Sequence, residues 1–123
     1  MKFAELASIA QAEVATLKRN LPEDIARLTA RVAVHLDALP RNSLLAEGFE
    51  PDLLGLFDGT PYNDEWSAGQ VLPPQIFLYL QNIWDFAGRD LAAYRREVQL
   101  TYLHELGHYL GWDEGDLAAR GLD

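Results

Sequence analysis

The stretch "LTYLHELGHYLGWDEGD" at residues 100–116 decides how this chain of 123 residues is organised. Residues 89–110 have the apolar spacing of one long helix, and Gly111 ends it because glycine adopts left-handed backbone angles without steric cost. His104 and His108 lie four residues apart on this helix. Residues with that spacing lie about 40° apart around the helix axis and about 6 Å apart along it, so both imidazoles can reach one metal ion.

The side chains of this helix predict that it packs on two sides, against a sheet and against another helix. Leucines cover one arc of the helix, and tyrosines with leucine and valine cover a second arc. A helix that is apolar on two sides is buried between its neighbours, and histidines in such a helix require polar partners. A narrow polar stripe separates the two arcs: Asp90, Glu97, Thr101, His104 and His108.

Glu105 completes the pattern His-Glu-x-x-His, which is typical of two zinc ligands with a carboxylate beside the metal. On the helical wheel Glu105 points to the same side as the histidines but reaches less far. Two imidazole ligands favour Zn²⁺ over magnesium or calcium. Because the short pattern also occurs in ordinary helices, the residues after the helix are needed to decide between a metal site and two ordinary histidines.

A third metal ligand is expected shortly after the helix. Catalytic zinc usually takes three protein ligands and leaves one position for water. Only 15 residues follow His108, so a ligand on a distant second helix does not fit. A sharp turn at Gly111 brings the chain back, and the residue three positions later is Glu114. Asp113 and Asp116 are alternative ligands. The remaining interpretation is that Glu114 binds no metal and is a solvated acid near the start of a helix.

The rest of the chain predicts an α+β fold in one domain spanning residues 1–123, with a small sheet backed by helices. Gly55 lies inside the second predicted strand and indicates a β-bulge or a close approach of another backbone. The strands are expected within residues 31–39, 51–64 (a strand ending in a Gly/Pro turn) and 72–81. Further helical segments are expected at residues 3–19, 21–28, 42–49 (closed by Gly48) and 82–90 (broken at Gly88).

The charge composition argues against a nucleic-acid partner. The formal net charge is −9, and residues 42–88 contain no lysine or arginine. We interpret the acidic surface mainly as a solvated face that keeps the protein soluble. The chain has no cysteine, which excludes disulfides and thiolate ligands. A membrane partner is not expected, because no apolar run approaches about 20 residues and no signal sequence opens the chain; the expected location is cytoplasmic.

Three stretches carry a resemblance to a known family: "LLGLFDGTP" at 53–61, "LPPQIFLY" at 72–79 and "HELGHYLGWDEGDLAARG" at 104–121. In order and spacing they resemble the short bacterial zincin-like metallopeptidases, over most of the chain beyond about residue 21. The resemblance implies a small mixed sheet packed on helices, with Zn²⁺ at His104 and His108 and Glu105 as general base. The third position in such proteins is usually His or Asp, whereas this chain has Glu114, which is one methylene longer than Asp.

The resemblance also implies hydrolysis of a peptide or protein substrate, which would pair with an edge strand at residues 53–57. The chain departs from metzincins in one respect, because its only methionine is Met1 and no methionine turn follows the third ligand. The alternative function is therefore a zinc-binding or protein-interaction module with a zincin-like fold and little or no proteolytic turnover. Candidate oxyanion donors, by residue type only, are Tyr62, Tyr79, Tyr102 and His35.

Overall fold

The computed structural model describes residues 1–122, and the α+β class expected from the sequence is confirmed. Six α-helices, three strands and a short 3₁₀ helix (Tyr62–Asp64) form the part of the chain that is described. In chain order the elements are α1 (Phe3–Arg19), α2 (Glu23–Leu28), β1 (Ala33–Asp37), α3 (Asn42–Ala46), β2 (Gly55–Asp58), β3 (Gln75–Tyr79), α4 (Leu80–Phe86), α5 (Leu91–Leu110) and α6 (Glu114–Ala119).

The three strands form a mixed sheet in the order β1-β3-β2. β1 runs parallel to β3, with Val34 opposite Ile76, whereas β2 runs antiparallel to β3, with Gly55 opposite Leu78. Ile76 and Leu78 are fully buried and contribute to the core. β2 is an edge strand, since within residues 1–122 it pairs with β3 on one side and with no strand on the other.

Helix α5 packs as its two apolar arcs predict, against both the sheet and other helices. It contacts β2 and β3 of the sheet, and also α1, α4 and α6. From α1, the buried residues Leu6, Ala10 and Val14 belong to the same core cluster as the apolar residues of α5. The buried Tyr94 hydroxyl donates a hydrogen bond of 2.8 Å to the Leu6 carbonyl, which fixes α1 against the start of α5.

Several element boundaries differ from the sequence predictions, for local reasons. β3 ends at Tyr79 and passes directly into α4, whereas a strand was expected to residue 81. Within the segment 51–64, which was predicted as a strand ending in a Gly/Pro turn, the strand is limited to Gly55–Asp58. α5 begins at Leu91 instead of residue 89, because Arg89 has a left-handed φ of 58° and Asp90 caps the helix by accepting a 2.9 Å hydrogen bond from the Ala93 amide. Among residues 1–122, no helix combines the length and apolar character that crossing a membrane requires.

Two buried tyrosines of α5 predict that the protein loses stability at high pH. Burial raises the pKa of Tyr102 to about 12 and the pKa of Tyr94 well above its ordinary value. Because the folded state holds these protons more tightly than the unfolded state, both groups destabilise the fold as the pH rises above about 10, and the contribution of Tyr102 is lost as the pH rises through about 12. We expect the unfolding temperature, measured by circular dichroism, to fall in that range and to fall less steeply in Tyr102→Phe. A parent protein whose unfolding temperature stays constant between these pH values would contradict the assignment.

Candidate metal centre

Three side chains of α5 converge on one point. His104, Glu105 and His108 each offer a ligand atom, and these atoms all lie within 4.8 Å of one another. The two imidazole rings are 4.6 Å apart between centroids and inclined by 65°. The predicted convergence of the histidines is therefore present. The Glu105 carboxylate lies in the same group as the two imidazoles. Its side chain therefore reaches further than the helical wheel indicated.

The environments of these three side chains differ. The Glu105 side chain is only 7% exposed, whereas those of His104 and His108 are 45% and 51% exposed. Glu105 Oε1 lies 3.1 Å from His108 Nδ1. A carboxylate can only accept in this hydrogen bond, so Nδ1 is the donor. In the neutral imidazole this leaves the Nε2 lone pair of His108 free to bind a metal.

The turn after α5 brings Glu114 back towards the histidines, as the sequence predicts. Gly111 has φ 75° and ψ 26°, the left-handed conformation that ends a helix. The Trp112 amide donates a 2.8 Å hydrogen bond to the Gly107 carbonyl and closes the turn. α6 then begins, and Glu114 Oε1 lies 3.6 Å from His104 Nδ1.

The two alternative acids have another role in the structure. The Asp113 side chain accepts a 2.8 Å hydrogen bond from the Asp116 amide, and the Asp116 side chain accepts one of 3.0 Å from the Asp113 amide. This reciprocal pair is a capping box that starts α6. Glu114, by contrast, is 86% exposed, and within residues 1–122 its carboxylate has no ion-pair contact except that with His104.

Gly107, which the sequence analysis did not single out, allows α6 to pack on α5. A Cβ at this position would lie 2.9 Å from the Trp112 carbonyl oxygen and 3.2 Å from Leu117 Cδ1. A larger residue would therefore push the turn and α6 away from the helix. The sequence signal that could have identified Gly107 is its position in the middle of a predicted helix. Glycine there lowers the stability of the helix by about 1 kcal/mol relative to alanine.

Gly55 marks a close approach between β2 and α5, one of the two alternatives that its sequence position left open. A Cβ at Gly55 would lie 2.7 Å from Thr101 Cγ2 and 3.3 Å from Glu105 Cγ. The edge strand β2 therefore lies directly against Thr101 and against Glu105, which belongs to the metal group. No larger side chain fits at this position without moving either the strand or the helix.

A cavity of about 820 Å³ opens beside the group. Three residues of the predicted polar stripe line the cavity together with Glu105: Glu97, Thr101 and His104. Asp90, which was also assigned to the stripe, caps the start of α5 instead. Glu114 also lines the cavity, from α6. Most other lining residues are apolar; they include Leu53, Leu54, Phe86, Leu100, Leu103 and Leu117.

None of the four candidate oxyanion donors lines this cavity. Tyr79 and Tyr102 are buried in the core at 1% exposure each. His35 lies on β1, where its Nε2 is 2.7 Å from Gln75 Oε1. Tyr62 lies in the 3₁₀ helix and packs edge-on against Tyr109 with ring centroids 6.0 Å apart. Residue type alone therefore did not identify a donor near the metal group.

Comparison with known proteins supports the resemblance seen in the motifs. The family model described as Zincin-like metallopeptidase matches residues 29–122. The match includes the whole sheet, the metal group and α6, and it begins after α2. No curated protein matches the sequence.

Proposed function

We propose that this chain, which belongs to the zincin-like metallopeptidase family, is a zinc-dependent peptidase that hydrolyses peptide bonds. The observation that carries the proposal is the exposure of the two imidazoles, 45% for His104 and 51% for His108. Structural zinc sites are closed by four protein ligands, whereas catalytic sites keep one position open. His104 also lines a cavity large enough for part of a substrate, which favours a catalytic over a structural site.

The residues present fit a zinc ion. Zinc bonds of about 2.0–2.2 Å in a tetrahedral arrangement place ligand atoms about 3.4 Å apart. The candidate atoms of the two histidines lie within 4.8 Å of one another, and Glu114 Oε1 lies 3.6 Å from His104 Nδ1, so all three side chains are within reach of one ion. Two imidazoles with a carboxylate are a donor set that zinc prefers.

Glu114 is proposed as the third ligand, and Glu105 as the base. Glu105 is buried and accepts a hydrogen bond from His108, and its carboxylate lies in the same group of ligand atoms as the two imidazoles. Glu114 is exposed and lines the same cavity from α6, and its Oε1 lies 3.6 Å from His104 Nδ1. The capping box occupies the carboxylates of Asp113 and Asp116.

The chemistry follows from this division of roles. Zinc bound here would act as a Lewis acid, lowering the pKa of a water molecule and polarising a peptide carbonyl. Glu105 accepts the proton of the attacking water and returns it to the leaving amine. The hydrogen bond from His108 occupies Oε1 of Glu105 and restricts the rotation of its carboxylate. Burial of Glu105 keeps bulk water from competing for this proton.

β2 is the proposed binding strand for the substrate backbone. Its free edge presents unpaired amide and carbonyl groups, which an extended peptide can pair with. Because Gly55 on β2 lies against Thr101 and Glu105, a peptide on this edge would be held close to the metal group.

The ligand assignment predicts different outcomes for two neighbouring acids. Glu114→Gln is expected to weaken zinc affinity by more than about 100-fold, since loss of an indirect partner alone costs 10- to 100-fold. Asp113→Asn is expected to leave it unchanged, because asparagine also caps helices. Competition with a chromophoric chelator measures both. Equal losses in the two variants would mean that Glu114 is not the third ligand.

Digestion of a mixed peptide library by the zinc-loaded protein, followed by mass spectrometry, tests the activity itself. Cleavage products that form with zinc and vanish with EDTA are the expected result. A protein that binds one zinc and cleaves nothing in the library would favour the alternative, a zinc-binding module without turnover.

A further inference from the structure

The cavity beside the metal group has an acidic lining. Three glutamates line it, Glu97, Glu105 and Glu114, and none of the described lining residues is a lysine or arginine. The proposed function assigns Glu105 and Glu114. It leaves Glu97 without a role, although this carboxylate lies in the same cavity.

Glu97 lies on the same face of α5 as the metal group. Seven residues separate it from His104, which places it about 20° away around the axis and about 10 Å away along it. The side chain is partly buried, and among residues 1–122 it forms no ion pair within 4.0 Å. Arg95, two residues earlier on α5, pairs with Glu13 of α1 at 3.6 Å.

The other walls of the cavity are apolar. Leu53 borders it from the segment before β2, Leu100 from α5, and Phe86 from the end of α4. Phe86 is 64% exposed, so its ring is available to a ligand. Apolar walls with a carboxylate outside the proposed metal site suit a side chain that has an apolar stem and a cationic end. An aromatic wall also attracts a guanidinium or ammonium group.

The dimensions agree with such a side chain. The stem of lysine or arginine carries its charge about 6 Å from the Cα atom. A substrate residue next to the scissile bond has its Cα a few ångströms from the metal group. Together these lengths are comparable with the rise of about 10 Å along α5 between the backbone positions of Glu97 and His104.

We infer that this cavity receives a lysine or arginine side chain of the substrate and that Glu97 selects it by pairing with its charge. A preference for basic substrates presupposes the proposed peptidase function. The pairing itself involves no zinc. A neutral side chain of equal length would fill the apolar walls but leave the Glu97 carboxylate desolvated without a partner. An acidic side chain would be repelled.

Binding of two matched peptides tests the inference independently of catalysis. The probes are blocked tripeptides, acetyl-Ala-Arg-Ala-amide and the same peptide with citrulline, the neutral isostere of arginine. Their dissociation constants are measured by NMR titration of the full-length protein, with zinc and again with EDTA. Three proteins are compared: the parent, Glu97→Gln, and Glu50→Gln, in which the same charge is removed from an exposed residue outside the cavity.

The arginine peptide is expected to bind roughly three- to ten-fold more tightly than the citrulline peptide in the parent and in Glu50→Gln, and equally in Glu97→Gln. Shifted amides should include those of Leu100 and Thr101. Equal affinities in the parent, a preference that persists in Glu97→Gln, or shifts confined to residues outside the cavity would overturn the inference. Failure to bind zinc or to cleave peptides, with the arginine preference intact, would instead overturn the proposed function alone.

Discussion

Replacing Glu105 with glutamine is expected to lower kcat/KM for any cleaved peptide by about 10²- to 10⁴-fold, the contribution that a positioned general acid–base makes. Glutamine has the same size as glutamate, and its carbonyl oxygen can still accept the hydrogen bond from His108 Nδ1. The fold and the zinc affinity should therefore stay close to those of the parent. Steady-state kinetics on one cleaved peptide, with zinc content measured on the same samples, makes the comparison.

The zinc measurement separates the two roles open to Glu105. If Glu105→Gln keeps its zinc and loses activity, Glu105 acts as the base. If the variant loses zinc as completely as His104→Ala does, Glu105 is a ligand, which its place in the group of ligand atoms also permits. Unchanged kcat/KM with full zinc content would contradict the mechanism.

Replacing Gly55 with valine is expected to lower both stability and activity. The Cβ would lie 2.7 Å from Thr101 Cγ2 and 3.2 Å from the Phe77 carbonyl oxygen, so β2 must move away from α5. Overpacking of this kind typically costs about 1–3 kcal/mol in the free energy of unfolding. A shift of about 1 Å in the strand and in Glu105 can lower kcat/KM by about 10²-fold. Urea unfolding and kinetics of the zinc-loaded protein measure the two effects.

Gly69→Val is the matched control, because a Cβ at Gly69 meets no atom within 4 Å. Its unfolding free energy and kcat/KM should stay close to the parent values. A Gly55→Val protein that equals this control in both measurements would show that the strand does not need its close contact with the helix.

The helix and its end were predictable from sequence because each depends on local chemistry. The spacing of His104 and His108 is a property of any helix, and Gly111 is the residue type that the left-handed turn requires. The mixed sheet could be expected only through the family resemblance, since periodicity does not reveal which strands pair or in which direction.

The details of the site depended on side-chain torsions and on tertiary packing. A helical wheel gives the direction of Glu105 but not its reach, so its place among the ligand atoms was not foreseen. The three acids after Gly111 look alike in sequence. They differ because backbone amides at the start of α6 use Asp113 and Asp116, which leaves Glu114 available.

The most direct test of the central claim, that α5 and α6 together form one zinc site, is the zinc content of the protein by elemental mass spectrometry. Untagged protein would be dialysed against trace zinc beside His108→Ala and Glu114→Ala. The account predicts one zinc per chain in the parent, none in His108→Ala and weakened retention in Glu114→Ala. A parent protein without zinc, under conditions that load a known zincin, would contradict it.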